Sequence, residues 1–285
     1  MEINMKIATN IMGFHQMFGI EKTVDIFAEA GFDGIDFNAD IQHLYDDSHD
    51  KSYYTDLRKH AEDKGIVFSQ AHAPFASTYA DVEQTKQRFN EIVNGMRHSA
   101  WVGAEMIVVH ASNHLDVKDP ANHEALFESD MDLYNRLVPY AEEFGIKIAI
   151  ENTNGTLNRT AEGLCRLYDE LNNGAFVVCF DVGHGNIIGE DPAEMIRKLG
   201  DRIKCTHIHD NDGSGDQHTL PFYGTIDWGS VMKAFADINY TGDLSYEAGR
   251  FVKNLPDEFR PEGAKYMAKV GKLLIDKFEH YKTVG

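Results

Sequence analysis

In the stretch Phe144-Gly-Ile-Lys-Ile-Ala-Ile-Glu151 an amphipathic run stops at a glycine, a short apolar run follows, and that run ends on a carboxylate. Gly145 closes the helical segment, because glycine takes the left-handed conformation that ends a helix at little cost. The same punctuation recurs at Ala30-Gly31, Lys64-Gly65 and Val102-Gly103. Outward from this unit, periodicity predicts strands over Lys6–Asn10, Gly34–Phe37, Ile66–His72, Met106–His110, Lys147–Glu151, Phe176–Asp181, Ile203–His209 and Asp243–Glu247. Helical segments alternate with them: Glu21–Ala30, Tyr53–Lys64, Val82–Val102, His123–Phe144, Ala161–Leu171, Pro192–Leu199, Trp228–Ile238 and Glu262–Glu279. Eight strands each followed by a helix is the arithmetic of a closed parallel barrel, so the expected class is α/β, a (β/α)8 TIM barrel forming one domain over residues 1–285. An open doubly wound sheet would carry a Gly-rich turn after its first strand, and Thr9-Asn-Ile-Met-Gly13 is not one.

Bulk composition narrows the partners. Formal net charge is −19, the wrong sign for a protein that replaces counterions along a phosphate backbone, so no nucleic acid is expected. Apolar runs are short and interrupted by charge, which predicts no membrane span. Cys165, Cys179 and Cys205 cannot form a fully paired framework, and the start of the chain lacks a basic segment followed by an apolar one. A reducing, cytoplasmic setting is the expectation.

The unusual residues sit at strand ends. His72, His110, Glu151, Asp181, His207 and Glu247 close or nearly close strands three to eight, and in a parallel barrel those ends share one face. A lone histidine there is more often a hydrogen-bonded structural residue, and a lone Glu151 could cap the next helix. Six together are harder to explain, since buried carboxylates need a cation or hydrogen bonds to neutralise them. Three carboxylates with a histidine suit Mn²⁺, Mg²⁺, Co²⁺ or Zn²⁺ rather than a structural zinc, which favours closely spaced cysteines. His184, His209 and Asp210 crowd the same rim, followed by a polar loop whose Asp216-Gln-His218 is either a ligand pair or a lid.

With Ala71-His-Ala-Pro74, Val108-Val-His110, Ile150-Glu-Asn152, Phe180-Asp-Val-Gly-His184, His207-Ile-His-Asp210, Gly224-Thr-Ile-Asp-Trp228 and Ser245-Tyr-Glu247 in this order, the chain resembles the xylose isomerase-like TIM barrels. The group of closest character is the sugar phosphate isomerases and epimerases, which share ancestry with endonuclease IV. The resemblance implies one divalent ion, Mn²⁺ first among the candidates, held by Glu151, Asp181, His207 and Glu247. It implies Glu151 and Glu247 as an acid/base pair beside a carbonyl, working through an enediolate. His72, His110, His184, Asp216 and His218 would contact substrate, and Asn10 or His15 would line the pocket. Ketose 3-epimerases carry an arginine shortly after the metal histidine, where this chain has Asn211, Asp212 and Gly213. No phosphate cradle is evident, which points to an unphosphorylated sugar or keto-polyol. A dehydratase or lyase on a keto-sugar uses the same ligands. The same nine residues also match the three-zinc set of endonuclease IV, a phosphodiesterase. A sugar-binding barrel without activity would tolerate loss of either glutamate, and both are present. Barrels of this group often pair, so a homo-oligomer is an open expectation.

Overall fold

The computed structural model describes residues 5–38, 41–46 and 48–284. Eight parallel strands run in the order 7-6-5-4-3-2-1-8: β1 (Ile7–Asn10), β2 (Gly34–Asn38), β3 (Val67–His72), β4 (Met106–Val109), β5 (Lys147–Glu151), β6 (Phe176–Asp181), β7 (Ile203–His207) and β8 (Leu244–Tyr246). The sheet curls until β7 meets β8, where the ladder thins to one bridge, Ile208 with Tyr246. That seam is held by Ile208 N–H donating to Ser245 O at 2.7 Å and Glu247 N–H to Ile208 O at 3.1 Å. Thr206 Oγ1 adds a side-chain tie to Asp243 O at 2.9 Å. The (β/α)8 barrel expected from the sequence is the fold observed.

The principal helices are α1 (Ile20–Ala30), α2 (Lys51–Asp63), α3 (Val82–Val102), α4 (His123–Phe144), α5 (Ala161–Leu171), α6 (Pro192–Leu199), α7 (Trp228–Asp237) and α8 (Arg260–Val284). Four match their expected bounds at both ends, and the others shift for local reasons. α2 starts at Lys51 rather than Tyr53 because Asp50 caps it, accepting from the Ser52 and Tyr53 amides. Four short helices, His15–Phe18, Gln42–Tyr45, Val182–Ile187 and Gly249–Lys253, lie in the connections. Alternation along each strand sends one set of side chains outward against the helices. In β2, Ile35 and Phe37 are fully buried on that side, with Phe37 edge-on to Tyr54 of α2 and Phe68 of β3. Burying each such side chain contributes about 1.5–3 kcal/mol, and this strand–helix layer carries most of the core.

The other set points into the barrel, and here the core is unusually polar. Asp36, Gln70 and Ser245 are all buried. Three strands stop earlier than expected: β4 at Val109 before His110, β7 at His207 before His209, and β8 at Tyr246 before Glu247. The ladder ends where side chains turn toward the mouth.

Candidate metal centre at the barrel mouth

Glu151 and Asp181 are the last residues of β5 and β6, His207 is the last of β7, and Glu247 lies one residue past β8. Strand register sets Asp181 beside His207. The four residues each present a donor atom within 4.8 Å of the others. Around His207 Nδ1, Glu151 Oε1 lies at 2.7 Å, Glu247 Oε2 at 3.7 Å and Asp181 Oδ2 at 4.0 Å. Glu151, Asp181 and His207 are buried, while Glu247 is partly open to solvent. Asn152, next to Glu151 in sequence, braces Asp181 in both directions: its amide donates to Asp181 O at 2.8 Å and its oxygen accepts from Asp181 N at 2.7 Å. Three carboxylates converging on one imidazole fit a divalent cation chemically, since each oxygen would otherwise repel its neighbours in a desolvated site.

Two further groups flank this set. On one side His72 donates from Nδ1 to Ala73 O at 2.7 Å, which turns Nε2 inward to within 3.0 Å of His110 Nε2. His110 Nε2 in turn lies 2.7 Å from Glu151 Oε2. On the other side, His184, His209, Asp216 and His218 also bring donor atoms within 4.8 Å of one another. His218 is anchored through Nδ1 to Glu247 O at 2.8 Å and reaches Asp216 Oδ2 with Nε2 at 2.9 Å. Asp216 and His218 thus fold back onto the site rather than standing off as a separate lid. The nine residues singled out from the sequence all gather at this mouth, with Asn10 buried at the end of β1.

Sequence reasoning gave His209 and Asp210 no firm role and passed over Asp36. His209 is fully buried, with Nε2 at 3.1 Å from Asp181 Oδ2, and its ring lies flat on His218 with centroids 4.1 Å apart. Its ring also presses on Gly183, where a Cβ would fall 2.0 Å from His209 Cε1, so only glycine admits the ring. Asp210 turns away from the mouth and accepts from Phe222 N at 2.9 Å, Ile226 N at 3.3 Å and Trp228 Nε1 at 2.8 Å. It fastens the loop that carries Asp216 and His218. Asn211 is likewise structural, donating to Gly183 O at 2.9 Å. The signal for Asp36 was available: a carboxylate flanked by Ile35 and Phe37 inside a strand. A hollow of about 760 Å³ at the opposite end of the barrel, bordered by Lys6, Lys147, Lys204 and Asp243, touches none of the nine residues.

The charges in the mouth are mutually supporting. Burial opposes ionisation of Glu151, but His207 and His110 outweigh it and hold the carboxyl well below its usual range. Asp181 is likewise lowered against burial by His184 and His209. Burial also works against charged imidazoles, yet Glu151 lifts His72 to about 9, Asp181 lifts His184 to about 10 and Asp216 lifts His218 to about 9. His110 goes the other way, with burial lowering it. For the three raised histidines the sign is clear. Their stabilising contribution is fully present below the unfolded value of 6.5 and is lost as pH rises through about 9 to 10. The metal-free protein is therefore expected to melt at progressively lower temperature between pH 7 and 10 in chelator; a melting temperature that rises over that range would contradict the charge pattern.

Residues 24–270 match the family model described as the xylose isomerase-like TIM barrel, and the chain belongs to that family. It is similar to D-psicose 3-epimerase of Agrobacterium fabrum, 26% identical over 251 residues, covering 81% of this chain and 78% of that one. It is also similar to inosose dehydratase of Clostridium perfringens, 27% identical over 222 residues, covering 67% of this chain and 72% of the relative. Among solved structures, a D-tagatose 3-epimerase-like protein superposes with a TM-score of 0.77 at 24% identity, covering 96% of this chain and 99% of that one. Among the described residues no helix is long and apolar enough to cross a membrane.

Proposed function

We propose that this protein is a divalent-metal-dependent sugar isomerase or epimerase that moves a proton beside a carbonyl through an enediolate. The observation that carries the reading is the convergence of Glu151 and Glu247 on one donor cluster with Asp181 and His207. The two glutamates come from β5 and from beyond β8, strands that are not neighbours in the barrel. They therefore reach a substrate at the mouth from different sides. One carboxylate takes the proton next to the carbonyl and the other returns a proton to the intermediate. A bound divalent ion would supply Lewis-acid stabilisation of the negative charge that develops on oxygen. Glu151, Asp181, His207 and Glu247 would hold it, with Mn²⁺ the first candidate and Mg²⁺, Co²⁺ or Zn²⁺ the others. His72, His110, His184, Asp216 and His218 would meet substrate hydroxyls, the cationic imidazoles serving as donors. A small unphosphorylated sugar or keto-polyol suits a mouth lined with histidines and carboxylates and offering few lysines or arginines.

The test is incubation of the metal-loaded protein with a panel of ketoses and keto-polyols in deuterated water. Deuterium at the carbon beside the carbonyl, with an isomerised or epimerised product, is expected. Loss of water from the substrate would assign the dehydratase reading, which the inosose dehydratase relative favours. Three zinc ions per chain with cleavage of abasic DNA would overturn the sugar reading in favour of a phosphodiesterase.

A further inference from the structure

Asp36 lies in the middle of β2, facing into the barrel and 1% exposed. Natural barrel interiors are filled by branched apolar side chains, and a carboxylate buried there is costly unless its oxygens are engaged. One of them is. Oδ2 of Asp36 faces His207 Nε2 at 3.2 Å, accepts from Gln70 Nε2 at 2.8 Å, and has Ser245 Oγ at 3.5 Å. These partners come from β7, β3 and β8, three different strands aimed at one oxygen. Gln70 is itself tied to Thr206 O at 3.4 Å, one residue before His207. Asp36 belongs to none of the donor groups that could hold an ion.

His207 is thus clamped at both ends of its ring. Nε2 meets Asp36, and Nδ1 faces Glu151, Asp181 and Glu247. An imidazole whose Nε2–H donates to a carboxylate has its Nδ1 lone pair free and its ring orientation set. We infer that Asp36 is a positioning residue that fixes the tautomer and orientation of His207, so that Nδ1 serves as a divalent-ion ligand. The inference rests on the reading that Glu151, Asp181, His207 and Glu247 hold that ion. Asp36 itself touches neither ion nor substrate. Gln70 and Ser245 meet the same Asp36 oxygen that faces the ring, which restrains the carboxylate from rotating away.

Asp36→Asn keeps the shape and can keep one hydrogen bond but removes the charge. Mn²⁺ affinity of the full-length protein, measured by calorimetry, is expected to weaken about 10- to 100-fold, the usual effect of losing such a partner. The visible absorption of the Co²⁺-loaded protein should shift at the same time, because the ligand field of His207 changes. A purely structural Asp36 would instead lower the melting temperature of the metal-free protein and leave both the Mn²⁺ affinity and the Co²⁺ spectrum as in wild type. That result overturns the inference. If Asp36→Asn does not fold, Gln70→Met removes the clamp on the same oxygen and should weaken Mn²⁺ in the same direction by several-fold; unchanged affinity there overturns it as well. Wild-type protein that binds no Mn²⁺, Co²⁺ or Zn²⁺ would sink the metal reading itself. A wild type that binds and a variant that binds equally well would sink only the role of Asp36.

Discussion

Glu247→Gln is expected to abolish deuterium exchange beside the substrate carbonyl and to cut kcat/KM by about 10³-fold, roughly 4 kcal/mol of lost transition-state stabilisation. The amide preserves the length of the side chain and one oxygen donor but cannot accept a proton at neutral pH. Glu247 is suited to the proton-transfer role because it lies one residue past β8, where it is partly open to the mouth, whereas Glu151 is almost wholly enclosed. The backbone that carries it is held on both flanks, by its own N–H on Ile208 O and by His218 on its carbonyl. The substitution should therefore leave the melting temperature of the metal-free protein within a degree or two. The comparison that gives the result meaning is Asp181→Asn. That change removes a donor with no proposed proton-transfer role, so its activity should recover as the ion concentration is raised to saturation. Activity of Glu247→Gln should not recover. Recovery of both variants would reduce Glu247 to a ligand and leave the acid/base assignment without support.

Stripping the ion with chelator should stop turnover altogether and lower the melting temperature by roughly 5 °C. At an ion concentration one hundred times the dissociation constant, binding stabilises the folded state by about 2.7 kcal/mol. For a chain of 285 residues, with about 2.1 cal/mol/K of unfolding entropy per residue, each kcal/mol corresponds to about 1.7 °C. The metal-free site is expected to keep its shape, because His184 and His218 on one side and His72 on the other stand against its carboxylates as ion-pair partners. An ion bound at Nδ1 would need the His207 imidazole neutral, whereas Glu151 and Glu247 overcome the opposing effect of burial and hold the imidazolium well above its ordinary range. Affinity should accordingly fall as pH is lowered, and the stabilisation by added Mn²⁺ should be larger at pH 8 than at pH 6. Scanning fluorimetry with chelator and with Mn²⁺ at both values checks this. Identical melting curves and full turnover in chelator would remove the metal from the account.

The alternation of apolar strands and glycine-terminated helices determined the barrel by local rules alone. Strand periodicity, Gly31, Gly103 and Gly145 at helix ends, and Pro192 in the first turn of its helix are each legible within a few residues. The ends of β5 and β6 followed too, and with them the placement of Glu151 and Asp181, because all strand C-termini of a parallel barrel share a face. What the sequence could not express was contact between residues far apart in the chain. Asp36 and His207 are 171 positions apart, and only barrel closure brings Oδ2 to the ring. Asp210, which reads as one more polar residue at the rim, is instead the anchor of the loop that follows it, because that loop doubles back to bring Phe222, Ile226 and Trp228 onto its carboxylate. His209 counts as part of the site only because Gly183, from the neighbouring strand's end, leaves room for its ring. Local pattern thus determined which residues reach the mouth, and packing across the closed barrel decided which way each of them faces, since direction depends on partners that no short stretch contains.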